Sequence, residues 1–293
     1  MIQTLQTRSG FSMPSIGMGL WRKSYKKNLV DPSAKSDPTE DARERAGLEH
    51  AYESGMRLFD TAVMYGWGHS EKMLGEFLTD IERSTAFVTT KIWDDAMGPQ
   101  EMLASVEKSL GHLQTDYLDL LLLHRAPTEP FTLESAANGL DACVSAGLVR
   151  NVGVCNFGVE KLAEITALTE SPIVANQVHY NVEVREAQLS GLMDYAASND
   201  VIVQAWRPLA YGTFTGSDFL TQIAARYEAT AAQVALAWLI QQPNVATVFK
   251  SDNPRHIDEN LKATTLQLSD EDLALIEKEF PNQLAKSDTV PLA

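Results

Sequence analysis

Only two cysteines occur among the 293 residues, Cys143 in the helix-like DACVSAG and Cys155 in VGVCNFG. Neither forms a C-x-x-C or another metal-ligand spacing, so a disulfide framework and a cysteine metal site are excluded. The expectation is two reduced thiols in a cytoplasmic protein. Long apolar runs are missing as well. LDLLLLH and VALAWLI are the longest candidates, core-sized and well short of the ~18 residues that span a bilayer. The opening MIQTLQTRSG is polar and alternating, with no apolar h-region, so no signal peptide is expected. Basic charge is scarce: 24 Lys and Arg stand against 39 Asp and Glu, a net charge of −15. Nucleic acid and anionic membrane need a basic footprint and are excluded as main partners. An anionic ligand would have to be held by a few local cations acting against that global field.

What the chain does contain is a rhythm. Short β-rich runs at 16–20, 56–60, 87–91, 117–124, 152–155, 174–177, 201–205 and 246–249 alternate with amphipathic stretches. PTEDARERAGLEHAYESG carries Pro38 and Thr39 as a start and Gly55 as a stop. QEMLASVEKSLGHL, TLESAANGLDACVSAG, VREAQLSGLMDYAASND and AAQVALAWLIQQ read as further helices, with Pro99, Pro130 and Pro254 near helix beginnings. Strands apolar on both faces and separated by helices imply a parallel sheet. Eight repeats without a glycine-rich dinucleotide fingerprint favour a closed (β/α)8 TIM barrel over an open doubly wound sheet. The prefix MIQTLQTRSGFSMP alternates around Arg8-Ser9-Gly10 and reads as an N-terminal β-hairpin capping the barrel bottom. One polar insertion, residues 22–41, follows the first strand. No linker interrupts the pattern, so one domain is expected over residues 1–293.

In such a barrel the chemistry sits at the C-terminal strand ends. Those ends are Trp21, Asp60 with Tyr65, Lys91, His124, Asn156, Gln177 and Trp206. Taken singly each has a bland reading: an Asp there commonly caps the next helix, a Lys reaches solvent, a His is a bonded core residue. Several ionisable groups on neighbouring strands facing one opening are harder to explain that way.

At this point the sequence resembles a known family, the aldo-keto reductases, over nearly its whole length. GMRLFDTAVMYG looks like that family's signature around its catalytic Asp and Tyr, TTKIW like its lysine segment, and DYLDLLLLHR like its histidine segment. GLVRNVGVCNFG, ANQVHYN, QAWRPLA and VFKSDNPRHIDEN are similar to its cofactor-binding segments. The resemblance implies reduction of aldehyde or ketone carbonyls by hydride from NADPH, with NADH possible. The implied catalytic set is Asp60, Tyr65, Lys91 and His124. Tyr65 would be the general acid, and Lys91 is expected to lower its pKa from the ordinary value of about 10. Asp60 would pair with Lys91, and His124 would orient the carbonyl.

On the cofactor side the resemblance implies Cys155, Asn156 and Gln177 at the carboxamide, Trp206 stacking on the nicotinamide, Leu209 as a further cofactor contact, and Arg207 as a cation meeting the pyrophosphate. Lys250, Ser251, Arg255, His256, Glu259 and Asn260 would serve the adenosine phosphate and adenine. Trp21, Trp93 and Arg125 would line the substrate pocket. Four positions depart from the family pattern: Leu20 for a threonine, Cys155 for a serine, Arg207 for a serine, and His256 for an arginine. The last weakens the expected preference for NADPH, because a bidentate fork is lost. Arg125 either braces the following loop, through Glu129, or faces the mouth as a cation for anionic substrates. The terminal FPNQLAKSDTVPLA is short for the pocket-closing loop of some members. The expected partner is a small-molecule carbonyl substrate, with no metal, and the chain is expected to act as a monomer. Two other readings stand beside this one. A non-catalytic nicotinamide-nucleotide-binding subunit would share the fold; a barrel hydrolase or isomerase using Asp60 and His124 would leave the cofactor-like segments without a role.

Overall fold

A computed structural model describes residues 2–22, 37–280 and 290–293. Most of the polar insertion and of the C-terminal tail singled out above lies outside the described residues. Strands β1 (Thr4–Gln6) and β2 (Ser12–Pro14) form an antiparallel hairpin that pairs Thr4 with Pro14. Eight parallel strands then close a barrel: β3 (Ile16–Gly19), β4 (Leu58–Asp60), β5 (Phe87–Ile92), β6 (Leu120–Leu123), β7 (Val152–Cys155), β8 (Ile173–His179), β9 (Ile202–Trp206) and β10 (Val245–Phe249). Each expected strand is present, and β10 returns to pair with β3.

The helices outside follow in order: α1 (Pro38–Glu53), α2 (His69–Leu78), α3 (Pro99–Leu113), α4 (Leu133–Ser145), α5 (Val159–Leu168), α6 (Glu186–Leu189), α7 (Leu192–Ser198), α8 (Asp218–Ala225), α9 (Ala231–Ile240), α10 (Pro254–Leu261) and α11 (Asp270–Glu279). Local chemistry sets their starts. The Asp37 side chain accepts from the Thr39 amide, and Thr132 with Ser135 and Thr230 with Gln233 form reciprocal capping boxes. Pro99 and Pro254 occupy the first turns of α3 and α10, where a missing N–H leaves nothing unsatisfied. Pro130 lies instead in the loop before the Thr132 cap. The single helix read in VREAQLSGLMDYAASND is two, because Gly191 at φ 76° breaks it. Among the described residues no helix is long and apolar enough to cross a membrane.

Strand parity divides the core. Leu58, Leu120, Leu122, Cys155, Ile202 and Ala246 fill the barrel interior together with Phe11 and Met13 of the hairpin. Phe59, Leu121, Leu123, Val154 and Val203 face the helices. The LLLL of β6 is thus apolar in both directions, which is why it reads as a run and not as an alternation. The interior is tight at β7, where a Cβ on Gly153 would stand 2.5 Å from the Ala175 carbonyl oxygen. The hairpin is fixed beneath by Asp200, whose carboxylate accepts from the amides of Arg8 at 2.9 Å and Ser9 at 2.6 Å. With one end filled, the open end is the one carrying the C-terminal strand residues.

Candidate active site

The inward parity of β4 and β5 continues upward from apolar residues to charged ones. Leu58 is followed two residues on by Asp60, and Phe87 by Thr89 and then Lys91. Lys91 is fully buried. Its ammonium donates to Asp60 Oδ1 at 2.5 Å and to the Thr61 carbonyl at 2.7 Å, and it reaches the Tyr65 hydroxyl at 3.5 Å. The second Asp60 oxygen accepts from Gln177 Nε2 at 2.8 Å. A buried carboxylate whose oxygens are both bonded is an anion the core can hold. The Tyr65 and Trp93 rings stand edge-on to His124 at 5.9 and 5.1 Å, and His124 Nδ1 is buried without a hydrogen-bond partner among the described residues.

Burial, the largest single influence, would depress the Lys91 ammonium, but Asp60 by its charge and hydrogen bond, together with Tyr65 and Cys155, outweighs it and raises the pKa, so the lysine stays charged. Burial and then the Lys91 charge hold His124 well below its ordinary range, so it is neutral. Tyr65 corrects the expectation. Burial pushes its hydroxyl up to about 12; Lys91 pulls it back and Asp60 raises it again. The lysine lowers the value and Asp60 opposes it in part, but burial is larger than either, and the net position is above 10.

The cofactor residues fall into two groups. At the mouth, Asn156 adopts a left-handed φ of 62°, donates from Nδ2 to the His124 carbonyl at 3.4 Å, and accepts from Trp206 Nε1 at 3.1 Å. Its carbonyl accepts from the Ala293 amide at 2.9 Å. Cys155 beside it is buried, and burial raises its thiol pKa. The Trp206 ring is stacked on His179 at 4.3 Å and 16°. Arg207 hydrogen-bonds the Tyr211 hydroxyl, and Tyr211 in turn meets the Trp21 ring at 5.9 Å. Leu209 is partly buried against the outer core.

The second group follows β10. Lys250 donates to Glu44 at 2.7 Å; Ser251 is buried and accepts from the Asn253 amide at 3.2 Å. On α10, Arg255 pairs with Glu259 at 2.8 Å, His256 is exposed, and Asn260 is buried. A nicotinamide nucleotide suits this set: the neutral His124 keeps an unpartnered buried nitrogen, Gln177 Oε1 takes no hydrogen bond among the described residues, and cations stand at the far group.

The loop contact expected of Arg125, with Glu129, is not the one it makes. Its guanidinium pairs with Asp94, not Glu129, and lies 4.8 Å from the Trp93 ring centre. Sequence reading also passed over Glu44, His179 and the Thr61 carbonyl. Only Glu44 carried a signal: with Gly47, Leu48 and Ala51 it forms the buried i, i+3, i+4, i+7 stripe of α1.

Comparison with known proteins gives one answer. A sequence profile described as "Aldo/keto reductase family" matches residues 15–279. Methylglyoxal reductase YeaE of Escherichia coli is 30% identical over 97% of this chain and 96% of its own. Glyoxal reductase of Bacillus subtilis is 31% identical over 94% and 91%. Among solved structures, the thermostable aldo-keto reductase Tm1743 superposes with a TM-score of 0.86 at 32% identity, covering 94% of this chain and 99% of that one. An aldo-keto reductase from Klebsiella pneumoniae, crystallised with NADPH, gives 0.84 at 27% identity and 99% coverage of both chains. The chain belongs to the aldo/keto reductase family.

Proposed function

We propose that this chain, as one barrel domain, reduces aldehyde and ketone carbonyls to alcohols using NADPH, with Tyr65 as the general acid. The observation that carries the reading is the Asp60–Lys91–Tyr65 chain of contacts beside a neutral His124. The reduced nicotinamide, when bound, supplies the hydride. His124 stays neutral, so a ring N–H donates to the carbonyl oxygen and fixes the carbonyl against Tyr65. Tyr65 is protonated throughout the physiological range and delivers its proton to the oxygen as negative charge develops there. Lys91, held charged by Asp60, faces the tyrosinate that this transfer leaves, so the phenolate forms next to a cation. Asn156, Gln177 and Trp206 would hold the nicotinamide, and Lys250 and Arg255 the adenosine phosphate.

Relatives named methylglyoxal reductase and glyoxal reductase support small 2-oxoaldehydes as the substrate class to try first. Purified chain mixed with NADPH and methylglyoxal, or with an aromatic aldehyde, should consume the cofactor. No consumption across a panel of aldehydes, with NADPH binding intact, would favour the non-catalytic binding subunit instead.

A further inference from the structure

Glu44 is fully buried in the middle of α1 and accepts from two cations of distant origin. Lys250, directly after β10, donates to its Oε1 at 2.7 Å, and Arg22, in the segment after β3, pairs with its Oε2. Strands β3 and β10 are neighbours across the barrel closure, so one carboxylate ties their ends together. The helix cannot withdraw it. One turn on, a Cβ on Gly47 would stand 3.0 Å from Asp252 Cα, so α1 is pressed directly onto the segment carrying Lys250 and Ser251. Arg22 is held further by Asp41 at 2.6 Å. Arg255, a second cation expected at the phosphate, carries its own carboxylate, Glu259, at 2.8 Å.

A lysine facing a fixed buried carboxylate holds a well-defined position but offers a phosphate a weakened field. NADPH differs from NADH by one phosphate on the adenosine ribose, so that field decides between them. We propose that Glu44 is a positioning residue that holds the Lys250 ammonium and lowers this chain's discrimination in favour of NADPH over NADH. The inference rests on Lys250 being a contact to that phosphate, as read above.

The test measures dissociation constants for both cofactors, by quenching of tryptophan fluorescence, in wild type, Glu44→Gln, Lys250→Met and the double variant. Glu44→Gln should raise the NADH-to-NADPH ratio of constants by about tenfold, the scale of one unit charge a few ångströms away with a second cation offsetting part of it. In the Lys250→Met background the same change should move the ratio by clearly less than in wild type, because no ammonium remains for the carboxylate to hold and weaken. A merely structural Glu44 would shift both constants together; an unmoved ratio overturns the proposal. Should the glutamine leave the chain unfolded by circular dichroism, Arg22→Met takes its place. Glu44 then faces Lys250 without its second cation and the ratio should fall, and no fall overturns the proposal equally. The two readings fail differently. If Lys250→Met leaves the ratio at the wild-type value, Lys250 is no phosphate contact and Glu44 loses its role with it. If Lys250→Met lowers the ratio but Glu44→Gln does not move it, only the role of Glu44 falls.

Discussion

Tyr65 Oη lies 3.5 Å from Lys91 Nζ, well beyond the 2.5 Å at which Asp60 holds the same ammonium. The tyrosine is therefore the weaker partner of a lysine already engaged, and in the proposed mechanism it would give up its proton only to a developing negative oxygen. Tyr65→Phe keeps the ring that stands against His124 and removes the hydroxyl that carries that proton. Carbonyl reduction should fall by ~10²–10⁴-fold, the usual worth of general acid catalysis, while the dissociation constant for NADPH stays within about twofold. A Tyr65→Phe enzyme with near wild-type kcat would remove Tyr65 from the mechanism.

The same hydroxyl makes a pH prediction. With its pKa pushed up to about 12, chiefly by burial, Tyr65 does not lose its proton in the neutral to moderately alkaline range. The reduction rate should hold a plateau from about pH 7 to about pH 10, without the alkaline fall that a lysine-depressed tyrosine would give. A fall with an apparent pKa near 8 that disappears in Lys91→Met would show the depressed value after all.

Asp60 and Lys91 form a buried pair whose halves cannot be removed separately without leaving a lone charge. Lys91→Met should cost about 3–5 kcal/mol in urea unfolding, and pairing it with Asp60→Leu should recover much of that loss. The double variant will be inactive but more stable than the single one. Equal stability of the two would mean that Gln177 alone suffices to hold Asp60.

His124 is neutral in the folded chain and titrates near its ordinary pKa when unfolded, so below that value the unfolded state binds the extra proton. The sign is fixed: His124 subtracts stability as pH falls from about 7 to about 5, and subtracts nothing above about 7.5. Unfolding measured across that window should have a steeper pH slope in wild type than in His124→Asn. Identical slopes would place the His124 pKa near its ordinary value in the fold.

Arg125 is tied to Asp94 and lies near Trp93, so the prediction is that its charge is spent there and does not select an anion. Arg125→Ala should change kcat/KM for a carboxylated aromatic aldehyde and for its uncharged parent by the same factor, within about twofold. A loss confined to the carboxylated substrate would return Arg125 to the pocket as a reader of charge.

The barrel was legible because parallel strands buried on both faces leave near-continuous apolar runs, and eight of them recur between helical patterns. Asp60, Lys91 and His124 were legible for the same reason. Each ends such a run, where an ionisable group needs a cause. The pairing of Asp60 with Lys91 was legible too, through the family resemblance; the other charge pairings were not. Thirty-nine carboxylates offer too many partners for any one arginine or lysine, and the partner chosen depends on which loop lies beside which strand end. Glu44 and Lys250 are 206 residues apart and meet only because the barrel closes. The raised Tyr65 pKa was not legible because sequence names the nearby cation but not how deeply the hydroxyl is buried, and burial is the larger effect. The break at Gly191 was in view, but a strong helical pattern on either side hid it.

The hairpin held by Asp200 has a consequence in time. Its contacts join residues 192 positions apart, and β3, the first barrel strand made, finds its second neighbour only in β10, the last. During synthesis the leading strand therefore waits with one unpaired edge while nearly the whole chain emerges, and the barrel floor cannot seat before residue 200 is out. The interval between the first strand and the last is the period when this molecule most needs its surroundings to keep an open sheet edge from meeting another chain.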